Sequence, residues 1–139
     1  MIREATAADA PTIKRMIREA QLDPTSLKWK NFLIAEVDGD IAGIGQVKPL
    51  LGCRELGSLV VAKAHRKQGI AASLIHALEA RHGYPLYLLC LAKLEAFYNQ
   101  FGYRTIRWRD APTALKIKLT PALLARPFGI RVLVMVKLA

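Results

Sequence analysis

Hydrophobic positions along this chain recur at spacings that switch between two and about 3.6 residues, the periods of a strand and of a helix. Residues 2–4 read as a short opening strand. Ile13, Met16, Ile17 and Ala20 then fall at i, i+3, i+4 and i+7 and predict an amphipathic helix. Asp9 is its expected N-cap, because Pro11 then sits in the first turn, where a missing N–H costs nothing. Residues 25–29 read as a second short helical piece. The apolar runs 32–37 and 41–47 flank Asp38-Gly39-Asp40, a turn signal that predicts an antiparallel hairpin.

Residues 56–62 form a nearly continuous apolar run, the pattern of a central strand covered on both faces. It ends in the polar segment 63–68, after which Ala71, Leu74, Ile75 and Leu78 repeat at helical spacing until Gly83 and Pro85 close the helix. Residues 86–91 are a second buried strand, parallel to the first if the helix crosses between them. Leu94, Phe97, Tyr98 and Phe101 line one face of the next helix, which Gly102 stops. Residues 104–108 and 130–136 supply closing strands, with a looser segment at 112–127. With no internal repeat or linker, the pattern predicts one α/β (α+β) domain over residues 1–139.

Composition adds constraints. Hydrophobic residues at 53% and charged residues at 23% describe a folded chain with an ample core rather than a disordered one. No run reaches the ~18 apolar residues that cross a bilayer. The first twenty residues carry Arg3, Glu4, Asp9, Lys14, Arg15, Arg18 and Glu19, so a cytoplasmic protein without membrane contact is expected. Cys53 and Cys90 have neither metal-ligand spacing nor the number for a disulfide framework; reduced thiols and no metal are expected. The formal charge is +10, and after Tyr103 eight Lys and Arg face the single acid Asp110. That asymmetry favours an anionic partner, whether a phosphorylated cofactor, a nucleic acid or an acidic protein, beside the plain reading of a solvated basic surface.

The most informative stretch is the junction from Val60 and Val61 through Lys63, His65, Arg66, Lys67, Gln68 and Gly69 to Ile70, Ala71 and Ala72. Here a buried strand turns through basic residues into a helix, whose N-terminus exposes unpaired N–H groups and the positive end of its dipole. Gly69 permits close backbone approach, the two alanines leave room for a diphosphate, and Arg66 and Lys67 add charge. No Gly-x-x-x-x-Gly-Lys-Ser/Thr occurs, and Gly43-Ile44-Gly45 lacks a third glycine, so nucleoside triphosphates and NAD are weak candidates.

Arg66-x-x-Gly69-x-Ala71, preceded by the strand residues Glu55 to Val61, resembles the Arg/Gln-x-x-Gly-x-Gly/Ala signature of GNAT acetyltransferases. Phe97-Tyr98-Asn99-Gln100-Phe101-Gly102-Tyr103 resembles that family's second motif, and the likeness extends over essentially the whole chain. The resemblance implies a mixed, mostly antiparallel sheet whose central parallel strand pair splays into a V flanked by helices. It implies acetyl-coenzyme A as cofactor, its pantetheine arm along Leu59, Val60 and Val61 and its diphosphate on the N–H groups of Lys67 to Ala72. The N–H of Leu59 would face the thioester carbonyl, a donor worth roughly 3 kcal/mol in comparable oxyanion sites. Family members often carry an asparagine after the second buried strand; Leu91-Ala92-Lys93 stands there instead.

An amine of pKa about 10.4 is unprotonated in only about one molecule in 2500 at pH 7, so acetyl transfer needs a base or water relay. Glu55 stands where histone-type members carry their catalytic glutamate, with a surface carboxylate paired to Arg54 as the plainer reading. Tyr98 is the implied proton donor to the departing thiolate and also a cofactor contact, against a plain core tyrosine. His65 reads as a loop residue and Cys90 as a buried hydrophobe rather than a nucleophile. Trp29 and Trp108 could border an acceptor pocket, although single tryptophans more often pack. Direct transfer in a ternary complex to a primary amine of a small molecule or protein follows, by a monomer or homodimer. The alternatives are a non-catalytic acyl-coenzyme A sensor or scaffold and, less favoured, a basic nucleic-acid-binding domain. Selectivity for the acceptor is expected in loops at 20–31 and 109–128, which carry no readable motif.

Overall fold

The computed structural model describes residues 1–124, 127 and 129–139. The chain divides into two compact units, one of Met1–Lys48 with Leu56–Gly83 and the other of Pro49–Glu55 with Tyr84–Ala139.

In the first unit, β1 (Ile2–Glu4), β2 (Phe32–Val37) and β3 (Asp40–Leu50) pair antiparallel, with Ile2 opposite Ala35 and Ile34 opposite Ile44. The hairpin forms where the sequence predicts it: Asp38 at φ 50° and Gly39 at φ 82° supply the two left-handed residues of a turn whose twist matches the strands. Helix α1 (Ala10–Glu19) buries Ile13, Met16 and Ile17 against Phe32, Ile34 and Ile44, while Ala20 lies exposed just past its end. Helix α2 (Ile70–His82) takes the opposite face, because neighbouring strand residues point to opposite sides. It comes so close to β3 that a Cβ on Gly43 would stand 2.8 Å from Ile70 Cγ2, and one on Gly45 would stand 3.2 Å from Leu78 Cδ1. The glycine pair that falls short of a nucleotide fingerprint is therefore a helix-packing seat.

Two expectations here need correction. Asp9 occupies the position before α1, yet its carboxylate does not cap that helix. It accepts from the Thr6 N–H at 2.7 Å and from Arg3 Nη1 and Nη2 at 2.8 and 3.0 Å, closing a short 3₁₀ turn, Ala7–Asp9, instead. Residues 25–28 are not helical; the 3₁₀ turn lies at Trp29–Asn31. Asp23 Oδ1 accepts from the Thr25 N–H at 2.9 Å, a local bond that competes with helix formation.

Strand β4 (Cys53–Val61) begins in the second unit and continues into the first. In the second unit it pairs parallel with β5 (Leu86–Leu91), Glu55 opposite Tyr87. Strand β7 (Val132–Lys137) lies antiparallel to β5 along its length, from Leu86 opposite Lys137 to Leu91 opposite Val132. On its other side it pairs with β6 (Arg104–Ile106). The order is β1-β2-β3-β4-β5-β7-β6, a seven-stranded, mostly antiparallel sheet with one parallel pair and flanking helices.

The expected strand at 104–108 stops at Ile106, and Trp108–Asp110 is a 3₁₀ turn; the last strand starts at Val132 rather than at 130. The larger correction is α4, Thr113–Leu124, where a loose segment is expected. Leu115 and Leu119 bury one stripe of it with Ala111 against Val134 and Val132, while exposed Ile117 and the interior Pro121 blur the helical pattern. Ala125 and Arg126 of the expected loose segment, and Phe128 of the expected acceptor loop at 109–128, lie outside the described residues. Nor is β4 covered on both faces, since Leu59, Val60, Val61 and Ala62 are only half-buried.

Candidate active site

The strand-to-helix junction has the geometry of an anion cradle. Beyond Val61 the chain makes a 3₁₀ turn at Lys63–His65, passes through Lys67 at φ 64° and reaches Gly69 at φ 76°, the N-cap of α2. Gly69 meets nothing within 4 Å of a built Cβ, so glycine is wanted there for its left-handed backbone and not for clearance. The first helical bond runs from Ser73 N to Gly69 O at 3.0 Å, and no side chain caps the helix. The N–H groups of Ile70, Ala71 and Ala72 are thus the orphan donors of a thirteen-residue helix. Arg66, Lys67, Gln68 and Gly69 are exposed, and Arg66 Nε donates to Val61 O at 3.3 Å, which ties the guanidinium to the strand end. His65 lies in the 3₁₀ turn, as expected of a loop residue. A cavity of about 350 Å³ adjoins this junction, lined by Arg15, Met16, Glu19, Val60, Lys63 and Arg66.

Within β4, Ser58 sits at φ 53°, a left-handed residue inside a strand, which kinks the run just before Leu59. Its Oγ accepts from Gln46 Nε2 at 2.8 Å, and the same nitrogen donates to Ser26 O at 3.2 Å. Gln46 is fully buried, and its Oε1 has no hydrogen-bond partner among the described residues. Lys48, also buried, reaches Asp23 at 3.5 Å. The sequence reading missed this polar floor; its one signal is Gln46 and Lys48 alternating with Gly45 and Val47 in an otherwise apolar strand.

Glu55 and Tyr98 both belong to the second unit. Glu55 is 5% exposed and its Oε1 accepts from Lys118 Nζ of α4 at 2.6 Å. Arg54, the partner of the plainer reading, is adjacent on the strand and so faces the other way, and its guanidinium donates to Tyr84 O at 3.2 Å. Tyr98 lies in the five-residue α3 (Glu95–Asn99), its ring edge-on to Phe97 at 5.0 Å and to Tyr103 at 6.3 Å. Burial, helped by the nearby Cys90, pushes its phenol up to about 12, so it holds its proton at neutral pH. The two groups sit on opposite faces of the second unit's sheet. Cys53, Tyr87 and Leu89 pack under α4 with Glu55, whereas Cys90, one residue out of phase, neighbours Tyr98.

Both cysteines are free thiols. Cys90 is buried with its Sγ 3.7 Å from Met135 Sδ, and burial followed by the charge of Glu95 pushes its thiol up to about 11, which keeps it un-nucleophilic. Trp29 packs on the α1 core, while Trp108 is 43% exposed. Among the described residues no cluster of His, Cys, Asp and Glu could hold a metal, and no helix is long and apolar enough to cross a membrane.

A strand with a left-handed residue before its half-buried end, a basic left-handed turn and an uncapped helix together make an exposed cradle for an anion. Residues 28–105 match the acetyltransferase (GNAT) domain model, and the chain belongs to that family. No curated protein sequence matches it significantly. Among solved structures it is similar to N-acetylglutamate synthase from Neisseria gonorrhoeae complexed with coenzyme A and L-arginine, with TM-score 0.78 and 20% identity over 99% of this chain. The chain spans about a third of that enzyme's length, 32%. It is also similar to Rv2747 from Mycobacterium tuberculosis in complex with CoA and NLQ, with TM-score 0.77 and 14% identity over 100% of this chain and 99% of that one. A third likeness is to diaminobutyrate acetyltransferase EctA from Paenibacillus lautus, in complex with its substrate L-2,4-diaminobutyric acid and coenzyme A. There the TM-score is 0.60, with 24% identity over 73% of this chain and 71% of that one.

Proposed function

We propose that residues 1–139 form one acetyltransferase domain that binds acetyl-coenzyme A and passes its acetyl group directly to a primary amine. The carrying observation is the turn at Arg66 to Gly69, which runs exposed and left-handed into the orphan amides of α2. Diphosphate oxygens take those N–H donors, with Arg66 and Lys67 adding charge at a dipole's positive end. The pantetheine arm runs along the half-buried Leu59, Val60 and Val61. The kink at Ser58 supports a Leu59 N–H released from regular strand pairing and turned to the thioester oxygen, where negative charge develops.

Tyr98 protonates the departing thiolate; its place in the aromatic motif supports this role, which its contact geometry in the complex must carry because burial makes the phenol a weaker acid. Glu55 takes a proton from the acceptor ammonium, which then attacks as the neutral amine; Lys118 donates to Oε1, which leaves Oε2 for that task. Acid and base on opposite faces of the sheet suit a thioester arriving from one side and an amine from the other. A ternary complex has precedent in the related diaminobutyrate acetyltransferase, which holds its amine substrate and coenzyme A together. Positioning and oxyanion stabilisation then supply most of the rate.

Calorimetric titration of acetyl-coenzyme A, followed by thiol release over a panel of primary amines, tests the proposal. Saturable binding with amine-dependent release is expected. Binding without release for any amine would favour the non-catalytic sensor, and no binding would remove the site.

A further inference from the structure

The second unit carries a pocket whose lining includes neither Glu55 nor Tyr98. Strand β6 ends at Ile106, opposite Val134, whereas β7 begins two residues earlier at Val132, which has a partner on β5 but none on β6. Where a further turn of β6 would lie, the chain instead leaves through Arg107 into the Trp108–Asp110 turn. The vacated place is a pocket of about 320 Å³ lined by Arg107, Trp108, Leu119, Ile130, Arg131 and Val132 among others. That volume is in the range of small-molecule sites and too small for a folded partner.

Its lining is two-sided. Leu119, Ile130 and Val132 are apolar lining, with the buried Leu119 the least exposed of them, and Trp108 adds a half-exposed aromatic ring. The charged residues of its lining are Arg107 and Arg131; outside the lining, Lys116 Nζ lies 5.3 Å from the Trp108 ring centre. Arg131 is anchored by its backbone, since Ala92 N donates to its carbonyl at 2.9 Å, and among the described residues its guanidinium has no carboxylate partner. Arg107 has only Asp110, at 3.4 Å, with both side chains more than half exposed, a pair that contributes little. Two guanidinium forks at the rim of an apolar pocket suit a planar anion on a hydrocarbon body, because each fork can meet a carboxylate with two parallel bonds.

We infer that this pocket binds a small carboxylate with an apolar body, of amino-acid or peptide-terminus size, through Arg131 and Arg107 with Trp108 against its hydrocarbon part. The inference rests on the second unit alone and stands or falls separately from acetyl transfer.

Trp108 itself is the reporter. With Trp29→Phe it becomes the sole tryptophan of the chain. N-acetyl-L-leucine titrated into that variant should change its fluorescence saturably, and the matched neutral N-acetyl-L-leucinamide should bind at least tenfold more weakly. Arg131→Gln should weaken the acid about tenfold and leave the amide unchanged, whereas Asp110→Asn, which frees Arg107, should strengthen it. Circular dichroism and melting temperature verify that each variant folds. Should Trp29→Phe be unstable, calorimetry on the unmodified protein makes the same comparison. Equal affinity for acid and amide, indifference to Arg131→Gln, or no saturable binding would overturn the inference. So would tighter competition by inorganic phosphate or a single-stranded oligonucleotide, which would reassign the pocket to phosphate.

Discussion

Tyr98 keeps its proton because burial disfavours the phenolate, and that preference has consequences for rate and for stability. Tyr98→Phe should lower turnover by roughly 10²-fold or more while acetyl-coenzyme A affinity changes little. Unchanged turnover would remove it as the acid. A phenol held at about 12 in the fold and near 10 when unfolded contributes stability that is full below about pH 10 and lost as pH rises towards 12. The variant should therefore lose less stability than the parent between those pH values, as melting curves would record. Asp9 works with the opposite sign. Arg3 holds its carboxyl down at about 2, so its contribution of about 2 kcal/mol is present above roughly pH 4 and disappears as pH falls to 2. Asp9→Asn should cost about that much in urea titrations at pH 7 and nearly nothing at pH 2. Tyr98 and Glu55 are proposed from motif, since each is defined by its sequence neighbours. Lys118, Gln46 and Arg3 could not, because what matters about each is a partner chosen by the fold.

Among the elements, α2 is held to β3 by a close approach that only glycine permits. Gly43→Ala would put a methyl 2.8 Å from the branched Ile70 side chain and 3.2 Å from Val60 O, neither of which can swing away. The helix must shift, at a cost of about 1–3 kcal/mol. Because α2 also presents the orphan amides, acetyl-coenzyme A affinity should fall with stability, measured by calorimetry beside a denaturation curve. An intact affinity would mean that the diphosphate is held elsewhere. Periodicity located α1, α2 and the β2–β3 hairpin because each has a sharply one-sided or alternating pattern. It failed at α4, where Ile117 faces water, Pro121 interrupts the helix, and the burying stripe is only Leu115 and Leu119.

At the scale of the whole molecule the net charge of +10 acts on every anionic ligand. Association of acetyl-coenzyme A should slow several-fold when salt rises from about 50 to 500 mM, since screening shortens the reach of that field. Stopped-flow measurement would show it, and a salt-independent rate would confine the electrostatics to contacts at the turn.

The elements up to β6, the hairpin, and the basic turn before α2 with its downstream aromatic motif are written largely in adjacent residues, where local sterics and hydrophobic period act. The order of residues was therefore enough to specify them and the family they mark. Pairings between distant positions are different in kind: Glu55 with Lys118, Gln46 with Ser26, the pocket left where β6 stops short of β7. Each is one choice among many that burial and hydrogen bonding would allow, and it became definite only when packing had brought the strands and α4 together.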